Sequence, residues 1–270
     1  MNKFLVAVGA FALSALFSLG YCAEGSQERR VALVVGNAKY EMGPLNNPTN
    51  DSIDMANKLR GYGFEVVYRE NLKIRQIGSM LREFKSKLST GSTALVFYAG
   101  HGLQVRGENY FPAVDAEIHS EEDIQNQSIN LKQVMDILEE AKTKANIVLL
   151  DACRNNPFER KTRSLSRGLA SVNAPSGTII AYSTRPGSVA EDGSGRNGLY
   201  TEQLLKVMDS KKPIEQVLKL LVTSVKGASK GRQEPWSEGS FEGDFCFGGC
   251  EDENAEKNKL AADISLWESI

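Results

Sequence analysis

Histidine and cysteine are both scarce here: two of the first and four of the second in 270 residues. A histidine-rich metal site is therefore excluded. Cys246 and Cys250 bracket Phe247-Gly248-Gly249 but have no companion pair or histidine at ligand spacing, so zinc is a poor reading for them. A small disulfide loop in an oxidising compartment, or two free thiols, fits better. Net charge is also nearly absent, at −2, which gives no basis for binding nucleic acid or an anionic lipid surface. There are no internal repeats. Nor does a glycine-rich phosphate loop follow the first strand, since Gly36-Asn37-Ala38-Lys39-Tyr40 holds a single glycine. That speaks against a flavodoxin-like small-molecule binder.

What is present is ordinary globular material, 41% hydrophobic and 24% charged, enough for a sizeable core in one large domain or two small ones. The first segment stands apart. Lys3, the apolar stretch Phe4 to Leu19 and the small-residue junction Gly20-Tyr21-Cys22-Ala23 read as a secretory signal peptide over 1–23. Export to a periplasm or the extracellular space follows, with no membrane attachment of the mature chain. An uncleaved N-terminal anchor or a lipoprotein is the alternative, although Tyr21 makes a poor lipobox.

Two short apolar runs carry the chemistry. Asn146-Ile147-Val148-Leu149-Leu150 leads into Asp151-Ala152-Cys153-Arg154, and Ser92-Thr93-Ala94-Leu95-Val96-Phe97-Tyr98 leads into Ala99-Gly100-His101-Gly102. Each reads as a strand buried on both faces of a parallel sheet. Both tips then lie at the carboxyl edge, where open α/β sheets bind ligands, with Cys153 just past its strand. If the strands are neighbours, roughly 5 Å separates each step, and Cys153 and His101 face one another as nucleophile and base. An imidazole beside the thiol favours thiolate and can later protonate a leaving amine. The Gly102 and Cys153 amides could form an oxyanion hole.

The elements Tyr98-Ala99-Gly100-His101-Gly102 and Asp151-Ala152-Cys153-Arg154, about fifty residues apart, resemble the caspase-like cysteine peptidases of the C14 type. The acid two residues before the cysteine is similar to the metacaspase and bacterial orthocaspase branch. The resemblance runs from about Arg30 to Gly248. It implies an α/β fold of the caspase-hemoglobinase kind: a three-layer sandwich with a mostly parallel six-stranded sheet and helices on both faces. It also implies protein or peptide substrates cut after Arg or Lys. Asp151 would hold the substrate cation, and Asn50-Asp51-Ser52 matches the family segment that contributes a second pocket acid. Two carboxylates facing a guanidinium give charge-assisted hydrogen bonds of about 1.5–3 kcal/mol each. Asp51 fits a helix N-cap equally well. Ser183 and the loop after it would line the same pocket. Ala99 replaces the serine common in that branch. Calcium activates some relatives, but no acidic cluster here has ligand spacing, so no cofactor or metal is expected.

The remaining pattern alternates β and α as a parallel sheet with right-handed crossovers requires. A strand over Arg30 to Val35 precedes a helix carrying Ile53, Ala56 and Leu59, capped by Asn50 or Asp51. A strand over Phe64 to Tyr68 precedes a helix with the stripe Ile74, Ile77, Leu81, Phe84, Leu88. A hairpin spans Leu103 to Pro112, and a helix carries Leu131, Val134, Leu138 and Ala141. By the resemblance, 30–157 is the large-subunit-like part (p20) and 176–250 the small-subunit-like part (p10) of one domain. Between them 158–175 is a basic linker, either a solvated loop or a site of self-cleavage. The second part offers a strand over Gly177 to Ser183, two helices and a final strand at Gly243 to Phe247. The tail 251–270 has no assignment. His119, in an acidic loop, reads as surface. A catalytically silent pseudo-peptidase acting as an interaction module is the alternative to an active enzyme.

Overall fold

The computed structural model describes residues 28–153, 169–172, 174–185, 188, 195–240, 242–251 and 267. The signal-peptide segment with Cys22, residues 154–168 of the turn and linker, loop residues 189–194 and nearly all of the tail lie outside the described residues.

In chain order the elements are β1 (Arg30–Gly36), α1 (Pro48–Gly61), β2 (Glu65–Glu70), α2 (Ile74–Lys87), β3 (Thr93–His101), β4 (Leu103–Val105) and β5 (Glu108–Pro112). Then come α3 (Glu121–Asn126), β6 (Ser128–Asn130), α4 (Leu131–Ala141), β7 (Ala145–Cys153), β8 (Thr178–Tyr182), α5 (Leu199–Val207), α6 (Ile214–Ala228) and β9 (Trp236–Ser240). The main sheet has the order β2-β1-β3-β7-β8-β9. Its first five strands are parallel and β9 closes the edge antiparallel.

Period-two alternation divides the core between the two faces of the sheet. Val31, Leu33, Val96, Val148 and Leu150 pack under α2 and α4, through Met80, Phe84, Val134 and Leu138. Ala32, Val34, Leu95, Phe97, Ile147 and Leu149 pack under α1, α5 and α6, through Met55, Leu59, Tyr200, Leu204 and Leu221. This is the three-layer α/β sandwich with a mostly parallel six-stranded sheet and helices on both faces.

Four expectations change in detail. The helix α1 begins at Pro48 with Asn47 as N-cap, so neither Asn50 nor Asp51 caps it. Proline is pre-set for the first helical position and lacks only an N–H that would be orphaned there. Both central strands run further than their apolar residues, because ladder pairing needs backbone alone and Ala99, Gly100 and Ala152 are small. Cys153 is therefore the last residue of β7, not a residue beyond it. The hairpin gains a third strand through β5 and β6. The final strand is β9, not Gly243 to Phe247. As an exposed edge, β9 needs no apolar run, and Gly239 (φ +96°) lets it pair where a Cβ would meet the Thr178 carbonyl at 2.1 Å. Phe245 and Phe247 are buried by ring packing against Phe64 and Tyr62 instead. Cys246 and Cys250 form a disulfide just beside them.

Candidate active site

The adjacent strands β3 and β7 pair in parallel over nine residues, and the last rung places His101 opposite Cys153. His101 is buried, and its surroundings define the ring's orientation. Nε2 lies 2.6 Å from the Gly43 carbonyl oxygen. A carbonyl only accepts, so Nε2 carries a proton, and Nδ1 is the nitrogen whose protonation can change. Gly43 has φ +70°, a conformation that favours glycine, and this turn is what aims its carbonyl at the ring.

Two tyrosines support the histidine from behind. The Tyr40 ring packs on the imidazole at 4.5 Å between centroids. The Tyr40 hydroxyl accepts from the His101 backbone N–H at 3.1 Å, and the Tyr98 hydroxyl donates to the His101 carbonyl at 2.8 Å. The two hydroxyls lie 3.0 Å apart. Gly100 makes this possible, since a Cβ there would sit 2.6 Å from each oxygen. Gly102 follows directly. It is buried, and a Cβ on it would meet Leu169 at 2.8 Å and Ala152 at 3.1 Å. Leu169 is brought in by Ala170, whose backbone exchanges two hydrogen bonds with the Asn109 side chain.

The carboxylates converge next to this rung. Asp151 continues the β7 positions Ile147 and Leu149 that face α1 and α5, so its side chain emerges on that side. From α1, Asp51 meets it there. Both are almost fully buried, and both approach one point: a Cβ on Gly198 would lie 3.2 Å from Asp51 Oδ2 and 3.3 Å from Asp151 Oδ2. Gly198 caps the N-terminus of α5, the partially positive end of that helix. Its N–H donates to Asp51 Oδ1 at 2.9 Å, and Thr201 Oγ1 donates to Asp151 Oδ2 at 2.6 Å. These donors favour the charged forms. Burial and the Asp151 charge outweigh them at Asp51, pushing its pKa from 3.8 up to about 8. The Tyr200 phenol, fully buried and hydrogen-bonded to no described residue, is driven strongly upward by burial and then by Asp151.

The structure therefore brings His101, Gly102, Cys153, Asp51 and Asp151 to one edge. Ser183 lies at the same edge one strand over: its N–H donates to the Leu150 carbonyl and its own carbonyl accepts from Gln233 Nε2, both at 2.8 Å. His119 is exposed. Among the described residues no group of three or more His, Cys, Asp or Glu side chains is arranged to hold a metal ion. Sequence reasoning missed Gly43, Tyr40, Gly198, Thr201 and Tyr200. A glycine opening a helix followed by a threonine in its first turn is a faint signal for the last three, and Gly43 carries none.

A caspase-domain model of the peptidase C14 family matches residues 29–246. Human mucosa-associated lymphoid tissue lymphoma translocation protein 1 is 28% identical over 162 residues, 60% of this chain and 19% of its own length. Cell death protein 3 of Caenorhabditis remanei is 27% identical over 135 residues, 48% of this chain and 24% of its own. The chain thus spans about a fifth to a quarter of these curated relatives. Among solved structures, caspase-1 of Spodoptera frugiperda superposes with a TM-score of 0.59 at 15% identity, covering 83% of this chain and 92% of that one. A protein of Geobacter sulfurreducens reaches 0.60 at 16% identity, covering 83% and 100%. At these identities the structural likeness speaks to the fold.

Proposed function

The chain belongs to the caspase-domain family, and from that premise we propose that it is a cysteine endopeptidase cutting after Arg or Lys. The observation that carries the dyad is the shared last rung of β3 and β7, His101 opposite Cys153. The thiol proton passes to His101 Nδ1, and the thiolate adds to the scissile carbonyl. The Gly43 carbonyl holds the imidazole through Nε2–H and stabilises the imidazolium. The Gly102 and Cys153 amides receive the oxyanion. Nδ1–H then protonates the leaving amine, the C–N bond breaks, and water, deprotonated by the same nitrogen, hydrolyses the thioester.

Support for a basic P1 residue comes from the two buried carboxylates meeting at Gly198 beside that rung. Their mutual repulsion is relieved by a guanidinium or ammonium, and an acidic P1 side chain would add a third like charge. Self-cleavage in the basic linker and export after removal of 1–23 belong to the same reading. No cofactor is required by the steps above. Fluorogenic peptides ending in Arg, Lys or Asp test it, with Cys153→Ala as control. Hydrolysis of the basic peptides that falls by at least about 10³-fold in the variant is expected. Turnover of the Asp peptide alone would overturn the pocket, and no turnover in the folded, processed protein would indicate the silent module.

A further inference from the structure

The wall of this pocket contributed by the second half of the chain is a strap, Arg196-Asn197-Gly198, that leads into α5. Nothing in its local sequence specifies one shape, because Gly195 precedes it, Gly198 ends it and glycine populates many backbone states. Its position is set by contacts to α1, more than 140 residues earlier in the chain. Arg196 forms a two-pronged pair with Asp54, Nε to Oδ2 at 2.9 Å and Nη2 to Oδ1 at 3.1 Å. Asn197 Nδ2 donates to the same Asp54 Oδ2 at 3.0 Å. Asn50 Nδ2 holds the Arg196 carbonyl at 3.0 Å. Gly198 N–H, the next donor along, is the one on Asp51.

Asp54 lies one turn after Asp51 on α1, so α1 presents one acid to the pocket and the other to the strap. We propose that Asp54 and Arg196 form a clasp that positions Asp51 and Gly198 to admit a cationic P1 side chain. Neither is a catalytic residue. This rests on the basic-P1 reading above. An isolated exposed ion pair does little, but here a bidentate arginine and two asparagine amides converge on one short segment. Asp54 is correspondingly held below the usual carboxylate range, by the Arg196 hydrogen bonds first. The Arg196 charge also reaches Asp51, so a guanidinium released from Asp54 would compete with the substrate cation.

The test is a double-mutant cycle with Asp54→Asn, Arg196→Gln and both together, read on an Arg-ending fluorogenic peptide. Each single variant is expected to raise KM about tenfold with kcat within about twofold, and the pair to be no worse than either single. A general loss of structure would instead lower kcat and the melting temperature together. Should Asp54→Asn not fold, Arg196→Gln alone decides, since its side chain is 59% exposed. The same substitutions in a Cys153→Ala background are titrated with agmatine, a free guanidinium cation, where Kd should rise by the same factor. Unchanged KM and Kd, additive effects, or an equal fall in kcat would overturn the clasp. A wild-type protein that neither cleaves the Arg peptide nor binds agmatine would overturn the basic-P1 reading, and the clasp with it.

Discussion

The two ends of the central sheet handle charge in opposite ways. At the amino end Arg30 lies over the Phe64 and Phe245 rings, 5.8 and 5.3 Å from their centroids, and donates to the Phe247 carbonyl at 2.7 Å. Glu65 is held low by Lys87 and Arg29, and Asp209 by Lys58 and Tyr62. A cleft of about 950 Å³ opens there, walled by several of these satisfied groups. At the carboxyl end the chain buries two carboxyl groups, an imidazole and a phenol. One end contributes stability. The other holds groups whose proximity costs stability, the kind of arrangement the proposed site calls for.

The contrast breaks most sharply at Asp151. Asp151→Asn should lower kcat/KM for an Arg peptide by about 10²-fold, the loss of one or two charge-assisted hydrogen bonds, mainly through KM. Steady-state kinetics read this directly. A fall in kcat alone would assign Asp151 to the chemistry instead of the pocket.

The pH dependence sharpens the same contrast. Asp51 titrates near 8 in the folded protein against 3.8 in an unfolded chain. A raised carboxyl pKa means the native state binds the proton more tightly. Its contribution to stability is therefore complete below 3.8 and is lost as pH rises through about 8. Asp54, Asp151, Tyr200 and Arg196 are the charged or titratable neighbours that share this environment. The melting temperature of the ligand-free protein should fall across that window, and Asp51→Asn should flatten the fall. A cation binds the ionised pocket, so KM for the Arg peptide should drop by about tenfold per pH unit on approaching 8 and then level. Profiles unaffected by Asp51→Asn would place the titration elsewhere.

The smallest kinetic effect belongs to the amino end. Arg30→Ala removes a charged hydrogen bond and two ring contacts, costing about 1–3 kcal/mol. A melting temperature lower by roughly 3–8 °C with unchanged KM and kcat is expected. Altered kinetics would show the two ends to be coupled.

Much of this was legible in the residues themselves. The apolar runs ending at Tyr98 and Leu150 located β3 and β7, and the tips beyond them brought His101 to Cys153. Period two even dictates the face from which Asp151 emerges. What could not be read were partners chosen by tertiary contact. Gly43, Gly198 and Thr201 act through an accepting carbonyl, a donating N–H and a donating hydroxyl across 50 to 150 residues of chain, and hydrophobic pattern encodes burial, not pairing. The strand β9 was missed for a related reason. Trp236-Ser237-Glu238-Gly239-Ser240 has no strand composition, and an edge needs little.

The Leu169–Ala170 anchor gives the molecule an unusual topology of cohesion. On one side of residues 154–168 the chain ends in β7; on the other it is already docked on Gly102 and Asn109 before entering β8, which pairs with β7. The segments before and after residues 154–168 thus meet through a parallel ladder inside one sheet. A cut between Cys153 and Leu169 would change the molecularity of folding, with the β7–β8 ladder still joining the two pieces. Unfolding would then release two chains, and the intact fold would depend on protein concentration as a heterodimer does.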